Sequence, residues 1–365
     1  MMQNAEIAAE PVGLEYLEQE LKSLGVFYYW QNDGNLGDYI IAEATRQLFR
    51  RAGVVWHAYD PQNPPQEPEY ALVYSGGGRF VPYWGGLELR QEHLTRPQVR
   101  RCVILPHSIN GVDAFVNALD ERHTVFCRER KTLAYCRALN SRSQFVLAHD
   151  VGISLHLEQV QPLEALVKPV LADGAEAMTQ YKLITGSAAS AARWYVRMAT
   201  ATNPHTKRSV AFFLRRDGEK GIEVSSPAAY DLSGLWSGSC NETPCSGPLL
   251  MLMAELASYP DVVVTDRLHV AIMAMHVGKE IYMLDNDYGK LSGVYEVSLV
   301  DRPNVHLLPP GEPWPVELQG AWEVLNSQHR IRKINFHNKW KRLQGLLKSP
   351  KSLVKIVLKK LCILK

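Results

Sequence analysis

Along this chain, short runs of β-branched and aromatic residues alternate with stretches whose apolar positions recur at intervals of three and four. The runs VFYYW (26–30), YALVY (70–74), CVIL (102–105), TVFC (124–127) and QFVLA (144–148) read as strands. After a gap the pattern resumes with SVAFFL (209–214), VVV (262–264), which Thr265 and Asp266 end, and EIYMLD (280–285). Such runs, apolar at successive positions, suit strands buried on both faces of a parallel sheet. Between them, helices are predicted over residues 14–24, 39–53, 183–201, from about Pro248, and over 268–276, with Gly53 and Gly278 as stops. The βα alternation occurs twice, so the predicted fold is α/β, with two Rossmann-like doubly wound domains facing each other across a cleft. The expected boundaries are 1–160 for the first domain, 161–208 for a helical connector, 209–328 for the second domain and 329–365 for a tail.

A length of 365 residues suits two domains of about 150 residues each. A hydrophobic share of 46% and a charged share of 21% are those of a globular protein. The six cysteines show no CxxC or Cys/His ligand spacing, so they are expected to be reduced thiols of a cytoplasmic protein, with Cys240 and Cys245 the only close pair. No metal site is expected. Residues 1–25 carry five glutamates and no apolar run, which argues against a signal peptide. The net charge of +2 hides an asymmetry: residues 329–365 hold 12 Lys and Arg and no acid, leaving 28 basic and 38 acidic residues before them, or −10. In the tail, Phe336, Trp340, Leu343 and Leu347 recur at helical spacing, and a second basic helix is expected after Ser349-Pro350. A basic amphipathic helix suits an anionic membrane surface; packing on the acidic body is the competing expectation. Nucleic acid is not indicated.

Every predicted strand ends in a polar cluster. These are Gly34-Asn35-Leu36-Gly37-Asp38, Ser75-Gly76-Gly77-Gly78, Pro106-His107-Ser108, Arg128-Glu129, His149-Asp150, Arg215-Arg216-Asp217 and Thr265-Asp266-Arg267-Leu268-His269. The carboxyl ends of parallel strands share one edge, so clusters far apart in sequence are expected to line one crevice. Thr265 and Asp266 are expected to cap the helix that follows, which sets Arg267 and His269 where unpaired N–H groups favour an anion. Taken singly, each cluster also fits an ordinary ion pair, cap or turn.

This ordered set, closed by Asn286-Asp287-Tyr288-Gly289-Lys290, resembles the polysaccharide pyruvyl transferase family over about residues 26–296. The resemblance implies a GT-B-like pair of domains with the phosphoenolpyruvate site in the second. It further implies transfer of the donor's three-carbon unit to two hydroxyls of one sugar, of a polysaccharide or its lipid-linked precursor, giving a pyruvate ketal and phosphate. No cofactor is implied. A donor with a phosphate and a carboxylate calls for guanidinium groups, and Arg267, Arg128, Arg215 and Arg216 are the candidates. His269 is the expected acid that protonates the enol carbon. His107 would bind substrate or take the sugar proton, and Asp38 or Asp150 would hold the acceptor hydroxyls. Asn35, Gly37, Gly77, Gly78, Ser108, Leu268, Tyr288 and Lys290 complete the implied substrate contacts. The competing expectations are a glycosyltransferase using a nucleotide sugar on the same architecture and a membrane-docked assembly factor without catalysis.

Overall fold

The computed structural model describes residues 10–160, 196–215, 230–233, 237–238, 246–285 and 289–331. It contains an α/β chain that divides into two compact units, each discontinuous in sequence. The first comprises residues 1–32, 40–156 and 288–302; the second comprises 33–39, 157–287 and 303–365.

The first unit is built on a parallel sheet. Helix α1 (Leu14–Ser23) precedes strand β1 (Phe27–Trp30); β2 (Gly34–Asn35) and helix α2 (Leu36–Ala52) follow. Next come β3 (Trp56–Ala58), β4 (Tyr70–Tyr74), β5 (Gly77–Phe80), α3 (Leu87–Leu94), β6 (Val99–Ile109), α4 (Asp113–Ala118), β7 (His123–Cys127), α5 (Arg130–Leu139) and β8 (Gln144–Leu147). The strand order is β3-β1-β4-β6-β7-β8, with β5 also paired to β6. The order reverses between β1 and β4, the switch point at which doubly wound sheets open a crevice beyond their carboxyl ends. The apolar runs account for the sheet: β4 and β7 are buried at every position. Trp30, Tyr59, Tyr74, Phe80 and Phe115 pack with them in one core, and each such side chain taken from water contributes roughly 1.5–3 kcal/mol. Cys102, Cys127 and Cys136 are free thiols within this interior.

The second unit carries a smaller sheet. Its strands are β9 (Thr200–Thr202), β10 (Ser209–Phe213), β12 (Val262–Thr265), β13 (Glu280–Leu284) and β14 (Val305–Leu308), in the order β14-β13-β12-β10-β9. Only β9 runs antiparallel. Helices α6 (Ser246–Ser258), α7 (Leu268–His276) and α9 (Val316–Ile331) belong here, whereas α8 (Lys290–Ser298) belongs to the first unit. Strand β11 (Ser237–Gly238) pairs antiparallel with β2.

The structure departs from the sequence expectations at four places. Residues 33–39 group with the second unit because β2 bonds to β11, and residues 288–302 group with the first, where Gly293 of α8 abuts the Glu129 side chain. Of the helix expected over 183–201, only 196–199 is helical among the described residues. Thr200–Thr202 instead forms an edge strand, with Ala201 turned inward between two threonines. Strand β6 does not stop at Leu105; it continues through Pro106 to Ile109. Residues 332–365, where most of the basic tail lies, are outside the described residues, and among those described no helix is long and apolar enough to cross a membrane.

Candidate active site

In the first unit the polar clusters meet around Arg128, which is 1% exposed. Its Nε donates to Ser108 Oγ at 2.8 Å and its Nη1 to Asp150 Oδ2 at 2.7 Å. The Ser108 hydroxyl donates to Glu129 Oε1, whose other oxygen accepts from Thr132. Asp150 Oδ1 accepts the Gly152 N–H and so caps the short turn 151–154. A charge this deeply buried persists only when paired and hydrogen-bonded, and Arg128 meets that condition. Gly78 permits the arrangement: a Cβ there would lie 2.9 Å from Lys290 Nζ and 3.0 Å from Arg128 Nη2. Lys290, half-buried in the first turn of α8, thus shares a small region with Arg128 although 162 positions separate them in the chain.

His107 lies beside this network. Its Nε2 accepts the Arg79 N–H at 2.9 Å, and its Nδ1–H donates to the Ser75 carbonyl at 3.1 Å. The ring is fully buried, and desolvation, with the Arg128 charge second, holds its pKa well below the ordinary histidine range. With both nitrogens bonded to backbone, the His107 ring bridges the ends of β4, β5 and β6. Gly77, at φ +140, lies against it, 3.7 Å from Cε1 to where its Cβ would be. Asn32, which the sequence reading passed over, donates to the Gly76 carbonyl at 2.9 Å and accepts from the Tyr74 hydroxyl, closing the switch point between β1 and β4.

In the second unit, β2 and the start of α2 form a reciprocal cap. Asn35 Oδ1 accepts the Gly37 N–H at 2.8 Å, and Asp38 Oδ2 accepts the Asn35 N–H at 2.9 Å. The space over Gly34 is filled by that carboxylate: a Cβ there would be 1.8 Å from Asp38 Oδ2. Asp38 therefore holds the loop as a cap. Gly37 is the point of close approach for His269, since a Cβ on it would lie 2.8 Å from His269 Nδ1.

His269 occupies the first turn of α7, half-buried, at the carboxyl end of β12. The expected cap is absent: Arg267 is the N-cap residue and makes no side-chain cap bond. Thr265 and Asp266 instead bind the end of β10. Thr265 Oγ1 donates to the Phe213 carbonyl at 2.6 Å and accepts the Arg267 N–H, and Asp266 Oδ1 accepts the Arg215 N–H at 2.7 Å. Asp266 is 3% exposed, and desolvation pushes its pKa up to about 7 against the opposing pull of the Arg215 N–H and of the Arg215 and Arg267 charges. The Arg267 guanidinium presents its Nε and Nη2 to the carboxylate of Asp231. Asp231 sits in a Gly- and Ser-rich stretch with no periodic signal, so nothing in the sequence marked it. Leu268 is buried. Arg216 and Tyr288 lie outside the described residues.

The expected site residues thus separate into two groups. Arg128, Ser108, Asp150, His107, Gly77, Gly78 and Lys290 are drawn together in the first unit. Asn35, Gly37, Asp38, Arg215, Arg267, Leu268 and His269 belong to the second.

Comparisons with known proteins bear on the family to which the chain belongs. A protein of Bacillus subtilis (strain 168) named "Putative pyruvyl transferase EpsO" is 23% identical over 295 residues, covering 75% of this chain and 85% of that protein. The crystal structure of KP1_0663 from Klebsiella pneumoniae subsp. pneumoniae NTUH-K2044, described as functionally uncharacterized, superposes with a TM-score of 0.60 at 24% identity. It covers 81% of this chain and 99% of that one, a likeness of fold. The pattern of the family described as polysaccharide pyruvyl transferase matches residues 35–288, well over half of the chain, so this chain belongs to the polysaccharide pyruvyl transferase family.

Proposed function

We propose that the chain transfers the enolpyruvyl unit of phosphoenolpyruvate to two hydroxyls of one sugar in a polysaccharide or its lipid-linked precursor. The donor's methylene carbon takes one proton and becomes a methyl group. One sugar oxygen bonds to the neighbouring carbon, the second displaces phosphate there, and the product is a cyclic ketal. One hydroxyl proton replaces the proton used on carbon and the other leaves with phosphate, so no oxidant, reductant or cofactor is required. On this reading the chain works in the cytoplasm, with its basic tail at an anionic membrane surface near a lipid-linked acceptor.

The observation that carries the reading is the seating of Asp266 to His269 at the carboxyl end of β12. The start of α7 lies at the carboxyl end of a parallel strand, where the positive end of the helix dipole favours an anion. Arg215 is tied to the same strand end through Asp266, and Arg267 is oriented by Asp231. His269, set by Gly37, is the acid for the enol carbon. In the first unit the reading gives Lys290, over Gly78, a substrate contact, and leaves Arg128 and Asp150 as its support.

The test is incubation of the purified chain with phosphoenolpyruvate and a panel of free and lipid-linked glycosides, with phosphate release and the ketal methyl resonance as readouts. His269→Gln is expected to lower turnover by about 10²–10⁴-fold without altering the circular dichroism spectrum. The reading fails if no acceptor elicits phosphate and phosphoenolpyruvate gives no thermal stabilisation while a nucleotide sugar does.

A further inference from the structure

Two carboxylates lie near the arginines of the second unit, and only one of them is bonded to a guanidinium. Asp231 receives two N–H groups from the Arg267 fork and a hydroxyl from Ser233. Asp266 is wedged between the ends of two strands and the start of a helix, where it accepts the Arg215 backbone N–H. The charged groups around it are Arg215 beyond β10, Asp231 from the 230–233 segment and Arg267 at the N-cap of α7. Asp285 closes the neighbouring strand β13, and His269 follows on its own helix.

We propose that Asp266 is the positioning residue of the donor site and its proton-coupled counterion: ionised, it neutralises the arginines, and when the donor's phosphate and carboxylate arrive it takes up one proton. This rests on the pyruvyl-transfer reading and adds a residue and a proton to it. The geometry allows the exchange without rearrangement, because a protonated Asp266 keeps Oδ1 as acceptor for the Arg215 N–H and gives up only its charge. The proton comes from solvent and returns to it when phosphate leaves. Burial has already brought the group to about 7 in the free protein, so an incoming anion need only raise it further.

The direction follows from linkage. Below about pH 7 the carboxyl is already protonated and anion binding is independent of this group. Above that pH the proton must be taken up on binding, and affinity falls by up to about tenfold per pH unit. Asp266→Asn keeps the acceptor, stays neutral and is expected to lose the dependence.

The experiment is calorimetric titration of the full chain and of Asp266→Asn with phosphoenolpyruvate and with sulfate from pH 6 to 9, in buffers of high and low ionisation enthalpy. Sulfate is dianionic throughout, so its pH dependence reports only protons taken by the protein. The expected result is a wild-type to variant ratio of dissociation constants that is flat up to about pH 7 and then rises. Wild type should also take up close to one more proton than the variant at pH 8. A ratio constant from pH 6 to 9, or equal proton uptake, overturns the proposal while leaving pyruvyl transfer standing. Sulfate binding with the expected profile but no binding of phosphoenolpyruvate overturns pyruvyl transfer and keeps Asp266 as the counterion of an anion site. Absence of binding by either anion overturns both. Should the variant not fold, the sulfate series on wild type decides, and unchanged affinity across the range refutes the proposal.

Discussion

The two histidines that sequence puts forward as the chemical pair end in opposite circumstances. His107 is enclosed in the first unit with backbone on both nitrogens, and its neighbour Arg128 is enclosed among Ser108, Asp150 and Glu129. His269 is half-buried on the first turn of a helix in the second unit, beside a carboxylate whose charge is held weakly. The same signal, a polar residue at the end of an apolar run, marks both regions. What separates them is saturation. Pro106 cannot donate to the sheet ladder, and pairing between β6 and β7 shifts register between Ile104 and His107. On the opposite side, where β5–β6 pairing shifts register between Gly77 and Phe80, the His107 ring takes the Arg79 N–H and donates to the Ser75 carbonyl, so both its nitrogens are engaged by backbone. The proposed reaction places its acid, His269, on the half-buried helix start and not on the enclosed ring.

The sharpest way to break that contrast is Arg128→Met. Removing the cation strands Asp150 and Glu129 without their counter-charge in the interior, and breaking a buried pair in this way costs about 3–5 kcal/mol. Urea denaturation should show a loss of that size. If Arg128→Met is as stable as wild type, the network is not structural, and Arg128 returns to the list of donor-binding residues.

Next in size is Gly37→Ala, which asks whether the second region is poised. The new methyl would intrude on His269 Nδ1 at 2.8 Å and on Asn35 Oδ1 at 3.0 Å, so the ring must move. Displacement of a catalytic group on the ångström scale lowers turnover by about 10²-fold. The expected signature is a fall in kcat with KM largely kept. Full turnover in Gly37→Ala would mean that the present seat of His269 does not matter to the reaction.

The same contrast explains what was legible in the sequence. Eight of the parallel strands were readable because each holds a run of apolar residues, whereas β3, β5 and β14, with His57, Gly77-Gly78-Arg79 and His306 in them, were not; the glycines at 34, 37 and 78 were readable as points of close approach. The short strands β2, β9 and β11 were not readable, because two or three residues with small or polar side chains carry no period. The discontinuous units were not readable either: pairing of Gly34–Asn35 with Ser237–Gly238 and the packing of Lys290 over Gly78 are long-range events without a local signature. Asp231 shows the limit most plainly, since its importance lies wholly in the arginine it meets 36 positions later.

The smallest effect comes from His107, through pH. In the unfolded chain its pKa is about 6.5, whereas in the folded unit burial holds it well below that value. Above pH 6.5 the ring is neutral in both states and contributes no pH dependence. As pH falls below 6.5 the unfolded state gains a proton that the folded state refuses, so stability is lost by up to about 1.4 kcal/mol per pH unit until the folded pKa is reached. His107→Gln offers a carbonyl oxygen to the Arg79 N–H and an amide N–H to the Ser75 carbonyl, and it does not titrate. Other acids and bases act alike on both proteins and cancel in the difference. Between pH 7.5 and 5.5, wild type is therefore expected to lose about 1 kcal/mol more than the variant in urea denaturation. Equal losses would mean that the folded protein accepts the proton on His107, and a ring able to do that would stand closer to His269 in kind than its two backbone bonds allow.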